Sequence, residues 1–328
     1  MKGGKIEAFQ KVKYYINFRE RLVGEMKNLK NLKGIVPSLH TITAPDGSLS
    51  DEDIRSEVKF NIECGVHGLA VGLGAGEFYK FSDEERKRLF KIVVDEANGK
   101  VPVLVGAWHT GTEPALMLAK YAKDIGADGL VLIPPFFRKA EATLYLYEHF
   151  SRIASNVDLP IMIQDNEDTF GVHICATLCK RLADENPNIY LIKIEGAGTI
   201  EKMRQVRELM QDKMVIFGGS AARLFYEEMA AGARGNIPDA CLPDLLVEIF
   251  NKYEKGDIEG SKKAYEKFKP WVDFLFLHSM QAAEIEKETL RLRGIIRSSH
   301  TRGPRVSLSE KDKQELKRIL QQMGIIKS

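Results

Sequence analysis

The sequence predicts an α/β protein built as a (β/α)₈ TIM barrel, with a C-terminal helical extension and an added N-terminal helix. Three observations predict it. Short apolar runs recur eight times between residues 34 and 238, each followed by a segment with helical patterning. Most of these runs are apolar on nearly every residue rather than alternating, as expected of parallel strands covered on both faces. After residue 240 such runs stop and only helical patterns follow. Eight β–α units within about 200 residues fit a closed barrel better than an open sheet. The expected organisation is an N-terminal helical extension over 1–32, the barrel over 33–240, and a C-terminal helical extension of the same domain over 241–328.

The elements follow in order. Ile6, Phe9, Val12, Ile16 and Leu22 fall roughly on one side of a helix over 5–30. The first strand is "GIVPSLH" (34–40), and Ser50 with Asp53 opens the helix after it. "GLAVGL" (68–73) is second, and the next helix starts with a capping box, Ser82 and Glu85. "VPVLVGA" (101–107), "GLVLIPP" (129–135), "LPIMIQD" (159–165), "IYLIKIE" (189–195) and "MVIFGG" (214–219) continue the series, and "ARGNIP" (233–238) is a weak eighth. The segment 309–326 reads as a last helix. No GxGxxG follows the first strand, which argues against dinucleotide binding.

Composition excludes several function classes. The chain has 328 residues, 29% charged with a net charge of +2, so no nucleic-acid partner is expected. No run of about 18 apolar residues occurs and the N-terminus is interrupted by charge, so no membrane span or leader is expected and the location reads as cytoplasmic. Four cysteines make no disulfide framework, and Cys175 and Cys179 read as core residues. The seven histidines are scattered without HxH or HxxxH spacing, so no metal is expected, nor any other cofactor.

In such a barrel the chemistry sits at the C-terminal ends of the strands. That selects His40, residues 73–77, His109, residues 134–137, Gln164 and Asp165, Lys193 and Glu195, and Gly218 to Ser220. In "YLIKIEG" (190–196), Tyr190, Ile192 and Ile194 read as one face of a strand, and Leu191, Lys193 and Glu195 as the other. A buried lysine is costly unless compensated or used. One reading is an amine whose pKa is lowered by desolvation, able to attack a carbonyl. The other is a buried ion pair with Glu195 or Asp165. Spacing does not choose between them.

The order of motifs resembles the pyruvate-dependent class I aldolase family of dihydrodipicolinate synthase and N-acetylneuraminate lyase. The residues that carry it are "GLAVGLGAGEFYKFSDEERKRLF", "KVPVLVGAW", "AKDIGADGLVLIPPFF", "VDLPIMIQDN" and "NIYLIKIEG". The resemblance spans about 33 to 325 and implies a barrel, usually oligomeric, in which Lys193 forms a Schiff base with a small 2-oxo acid. Departures are as informative. Gly74 and Ala75 stand where the synthases carry two threonines, Gln164 and Phe137 where they carry tyrosines, and Thr169 where an arginine binds carboxylate. A phenylalanine or alanine has no proton to pass. "LPIMIQDN", "IYLIKIEG" and a histidine after the third strand are closer to the 2-keto-3-deoxy-L-arabinonate dehydratases, which remove water from a sugar acid.

On this basis Lys193 is the expected nucleophile and Glu195, on its face, the first candidate for acid or base. Gln164 is placed to hydrogen-bond an intermediate, and His109 to bind a hydroxyl or shuttle a proton. Asp165 is a second carboxylate that alternation can point outward, and His40 a weaker candidate. Backbone N–H groups around Gly74, Ala75 and Gly76, at the start of the following helix, are the expected carboxylate site. Gly218 is a further substrate-binding candidate, and Phe137 with Trp108, Phe136 and Phe170 can wall the pocket. Glu77 reads as serving the fold. The expected activity is dehydration of a 2-keto-3-deoxy sugar acid. The alternatives are an aldolase releasing pyruvate, dihydrodipicolinate synthase itself, and a non-catalytic barrel that binds 2-oxo acids. A homo-oligomer, tetramer or dimer, is the family expectation.

Overall fold

The computed structural model describes residues 28–136 and 143–327. The expected helix over 5–30 therefore falls almost wholly outside the described residues, as does Phe137.

Eight parallel strands form the centre: β1 (Gly34–Ile35), β2 (Leu69–Val71), β3 (Val103–Gly106), β4 (Gly129–Leu132), β5 (Ile161–Asn166), β6 (Ile189–Glu195), β7 (Val215–Phe217) and β8 (Gly235–Asn236). Strands β2 to β7 pair in sequence order and β1 pairs with β8. Single parallel bridges, Ser38 to Ala70 and Gly218 to Asn236, join the two groups and close the barrel. Alternate residues of each strand part company. Ala70, Leu104, Val131, Met162, Leu191 and Phe217 cluster inside the barrel. Leu69, Val71, Val105, Leu132, Ile163, Ile192 and Ile216 pack outward against the helices.

The helices that cover the barrel are α1 (Asp51–Glu63), α2 (Asp83–Ala97), α3 (Thr112–Asp124), α4 (Thr143–Ala154), α5 (Ala176–Glu185), α6 (Thr199–Met210) and α7 (Phe225–Ala230). The capping box of α2 forms as read: the Ser82 hydroxyl accepts from Glu85 N–H, and the Glu85 carboxylate accepts from Ser82 N–H. Ser50 does precede α1, but its hydroxyl donates to the Asp53 carboxylate instead of accepting a backbone N–H. The reading of β6 needs one correction. Tyr190 joins the inner cluster and not the Ile192 and Ile194 face, because the β5–β6 register slips by one residue between Ile161 and Met162. Its hydroxyl accepts from Leu29 N–H, tying the chain before β1 to the barrel.

After β8 come α8 (Pro243–Glu254), α9 (Ile258–Leu277), α10 (Ala282–Leu292) and α11 (Glu310–Gln322). Trp271 of α9 is buried and donates to Thr289 of α10. Lys287 of α10, with no exposed side-chain surface, pairs at 2.6 Å with Glu77 in the loop after β2. These contacts bring α10 over the rim of the barrel. Among the described residues, no helix is long and apolar enough to cross a membrane.

Candidate active site

The C-terminal ends of the strands open into a cavity of about 290 Å³. Lys193 and Glu195 project into it from β6, Gln164 from β5, and Ser220 from the turn after β7. Strand pairing sets the first three side by side: Gln164 is opposite Lys193, and Asn166 opposite Glu195. The Lys193 ammonium lies 2.9 Å from Glu195 Oε2, and both side chains are almost wholly buried. Gln164 Nε2 donates to the same oxygen at 2.7 Å, and Ser220 N–H donates to Oε1 at 2.7 Å. The Glu195 carboxylate is thus held by three donors, on both oxygens, with no freedom to turn. Gln164 Oε1, Trp108 Nε1 and Ser38 Oγ are buried without a partner, and their residues line the same space. Buried polar atoms left unpaired beside a cavity mark where a ligand can bind.

The turn that meets Glu195 is strained. Ser220, Ala221 and Ala222 have φ of 48°, 51° and 57°, a region that side chains with a Cβ avoid. Two carboxyls brace it. Glu195 accepts from Ser220 N–H, and Glu228 of α7 accepts from Gly219 N–H at 3.3 Å and from Asn236 Nδ2 at 2.6 Å. Neither of the preceding glycines has room for a side chain: a Cβ on Gly219 would lie 2.2 Å from Glu195, and one on Gly218 2.0 Å from Glu228.

Burial pushes the Glu228 pKa up to about 8, and the nearby Glu195 adds to the rise. The sign for stability follows. Between the ordinary value of 4.5 and about 8, the folded state keeps a proton that the unfolded chain has lost. Glu228 therefore weakens the fold as pH rises through that window, and the loss is complete above it. A Glu228→Gln variant has no proton to lose. Relative to the parent, its thermal midpoint should rise between pH 5 and pH 9, read by unfolding curves at the two values.

The remaining sequence candidates divide. Gly74 and Ala75 line the cavity with Phe78, Trp108, Phe170 and Asp239. Gly76 does not; its carbonyl accepts from Thr41. The loop does not open a long helix at that point either. Glu77 N–H is taken by Gly74 O, a three-residue turn over Phe78–Lys80 follows, and α2 begins at Asp83. Its N–H groups are therefore not a helix-terminus anion site. Gly218 backs the cavity through the Glu228 contact without lining it. Asp165 points outward, as alternation requires, and pairs with Lys202 of α6. His109 is placed away from the cavity, partly exposed and 3.8 Å from Asp83, while its neighbour Trp108 faces inward. His40 is wholly buried between Glu57 and Glu286. Trp108 contacts Phe78 and Phe170 edge-on, and Phe136 completes the aromatic wall. Among the described residues, no group of three or more His, Cys, Asp or Glu could hold a metal ion.

Sequence reasoning missed Glu228, Asp239, Asn236 and Glu286. Glu228 of α7 meets Asn236 of β8, and Glu286 of α10 lines a cavity with Asp239, in each case from positions with no local motif. The one signal for Asp239 is that it closes the weak eighth strand.

Comparison with known proteins agrees with the barrel fold. The profile of the Dihydrodipicolinate synthetase family matches residues 31–323. The 4-hydroxy-tetrahydrodipicolinate synthase of Methanopyrus kandleri is 30% identical over 298 residues, covering 90% of this chain and 97% of that protein. The enzyme of the same name from Methanocaldococcus jannaschii is 28% identical, over 90% and 99%. Among solved structures, YagE is a prophage protein of the dihydrodipicolinic acid synthase family from E. coli K12, determined with pyruvate. It superposes with a TM-score of 0.83 at 27% identity, covering 90% of this chain and 99% of that one. The Thermotoga maritima dihydrodipicolinate synthase gives 0.82 at 28% identity, over 90% and 99%. The barrel, the strand-six lysine and the match along nearly the whole chain lead to one conclusion: this protein is a lyase of the dihydrodipicolinate synthetase family.

Proposed function

We propose that the protein forms a Schiff base between Lys193 and a 2-oxo acid and uses it to dehydrate a 2-keto-3-deoxy sugar acid. The observation that carries this reading is the Lys193–Glu195 contact of 2.9 Å between two almost wholly buried side chains that line the cavity. An ammonium ion cannot attack a carbonyl, so the amine needs a neighbour that takes its proton. Glu195 is in contact to do so. Attack on C2 gives a carbinolamine, and loss of water gives the iminium ion. The iminium draws electrons from C3, Glu195 removes a C3 proton, and an enamine forms. A hydroxyl at C4 can then be expelled. Gln164 holds Glu195 in register and presents its amide to the substrate; it performs no proton transfer itself.

The positions that would carry the synthases' proton relay support dehydration over condensation. They are Gly74, Ala75, Phe137 and Gln164, and none has a hydroxyl to pass a proton. The second reading, condensation of pyruvate with an aldehyde, draws support from the names of the M. kandleri and M. jannaschii relatives. Bound pyruvate in YagE supports a 2-oxo acid under either reading.

Borohydride trapping tests the proposal. The protein is reduced in the presence of 2-keto-3-deoxy-L-arabinonate or pyruvate, and intact and peptide masses are read. A five-carbon adduct on Lys193, whole or short of one water, is the expected result. A pyruvyl adduct from the five-carbon acid would mean C–C cleavage instead. No adduct from either compound would leave a barrel that does not use Lys193 covalently.

A further inference from the structure

The wall of the cavity at the β1–β8 seam is made by residues that the mechanism so far leaves idle. Asp239 follows β8 and bridges to Ser38 at the seam of the barrel. Its side chain lines the cavity that holds Lys193 and Glu195, and also an adjoining cavity of about 550 Å³ lined by Glu286. Glu286, on α10, lines that second cavity with Asp239, and its Oε2 lies 3.0 Å from His40 Nε2. His40 Nδ1 lies 2.5 Å from Glu57 Oε1 on α1. Three carboxyls and one imidazole thus run in line from the inside of the protein to the reaction space.

The charges in this line do not cancel. Burial lowers the imidazole's affinity for a proton, but Glu57 and Glu286 outweigh it and raise the His40 pKa to about 10. The His40 cation is answered by Glu57, which leaves two carboxyls for no further cation in the line. Burial raises the Glu286 pKa to about 8, with Asp239 adding to the rise. Burial also raises that of Asp239, against His40 and Lys193 and with Glu195. The charged groups that act on Asp239 are His40 from the segment after β1, Glu286 from α10, and Lys193 and Glu195 from β6, while Glu77, Lys80, Glu284 and Arg305 line the second cavity with it. Two neighbouring buried carboxyls, each with its pKa raised, can hold one proton between them. A staple at the seam would need only one ion pair, and an apolar pair would serve as well. The line is better explained as a way of holding a proton at the cavity wall.

We propose that Asp239 is a further catalytic residue of this site, the acid that protonates the departing C4 hydroxyl, and that Glu286 and His40 are positioning residues that keep it supplied. The inference rests on the Schiff-base dehydration proposed above. In the step, the enamine nitrogen pair re-forms the C=N bond, the C3=C4 bond forms, and the C4–O bond breaks. The Asp239 proton joins the leaving oxygen and one water departs. Glu195 has gained a proton from C3 and Asp239 has lost one, so the charge of the site is unchanged. Asp239 regains a proton from Glu286, which is refilled through the second cavity, while Glu195 gives its proton up to solvent. With a base and a separate acid lining the same cavity, elimination no longer needs one carboxyl to do both tasks.

Asp239→Asn in the full chain tests this. Pyruvate trapping on Lys193 should match the parent, while turnover of a 4-hydroxy-2-oxo acid falls by about 10²- to 10⁴-fold. The borohydride adduct of that substrate should be whole, where the parent also yields one short of a water. A 4-fluoro analogue, whose fluoride leaves without a proton, should be turned over within a few-fold of the parent rate, a rescue that a structural lesion would not permit. Glu286→Gln, should the first variant not fold, is expected to shift the pH–rate profile with trapping intact. Parent-like turnover by Asp239→Asn, or equal loss with the hydroxy and fluoro substrates, would overturn the assignment. Failure of the parent itself to trap pyruvate would instead overturn the Schiff-base reading on which it stands.

Discussion

Lys193→Arg is expected to lose turnover by about 10⁴-fold or more while keeping the fold, because it preserves the charge and removes the nucleophile. Arginine is never neutral at working pH, so it cannot attack a carbonyl. It can still face Glu195, which the ammonium now contacts at 2.9 Å. Lys193→Ala is the companion variant. It leaves Glu195 with two of its donors, Gln164 Nε2 and Ser220 N–H. That loss puts a buried carboxylate out of balance, so it should lower the melting temperature as well as activity. The two variants together separate nucleophile from counter-ion. Turnover of a 4-hydroxy-2-oxo acid, borohydride mass shift and thermal unfolding are the measurements. A Lys193→Arg protein with activity near the parent's would exclude an imine.

Glu195→Gln should reduce turnover by about 10²- to 10⁴-fold, the ordinary range for loss of a general base. Its signature differs from that of Lys193. The amine still reaches its carbonyl, so pyruvate is still trapped on Lys193, if more slowly. What disappears is proton removal at C3. In D₂O the parent should exchange the methyl hydrogens of pyruvate through the enamine, and Glu195→Gln should not, by mass spectrometry or proton NMR. Exchange at the parent rate would move the base elsewhere, and Asp239 would be the next carboxyl to examine. The substitution also places a second amide against Gln164, whose Nε2 now donates to Glu195. One of the two amides must turn for a donor to meet an acceptor, which the buried, unpartnered Gln164 Oε1 allows.

Much of this architecture is legible in the chain because barrel strands announce themselves locally. All eight apolar runs contain a strand, and Ser82 with Glu85 forms its capping box. Lys193 and Glu195 are legible as a pair because residues two apart on a strand share a face. The same periodicity sends Asp165 outward to Lys202. The failures have physical causes. Tyr190 changes face because pairing with β5 skips a residue, which is decided by the neighbour strand and not by β6. His109 follows the last regular residue of β3, where alternation no longer dictates direction, and Trp108 takes the inward place. Asp239 and Glu286 meet across nearly fifty residues of helical chain, and His40 and Glu286 across 246. No local pattern encodes such a meeting. It exists only once α10 has settled on the rim.

The close approach of Gly219 to Glu195 bears on how such a site can change over generations. With a prospective methyl only 2.2 Å from the carboxylate, no larger residue enters position 219 while a glutamate stands at 195. Conversely, shortening position 195 empties the space that glycine now leaves open and strips Ser220 of its acceptor. Each change is harmful alone, and only a simultaneous or ordered pair escapes, so their effects cannot add. The turn after β7 and Glu195 on β6 are therefore coupled, and a change at either constrains the other. Gly74, on the wall after β2, is under no such constraint, since a Cβ there would meet nothing within 4 Å.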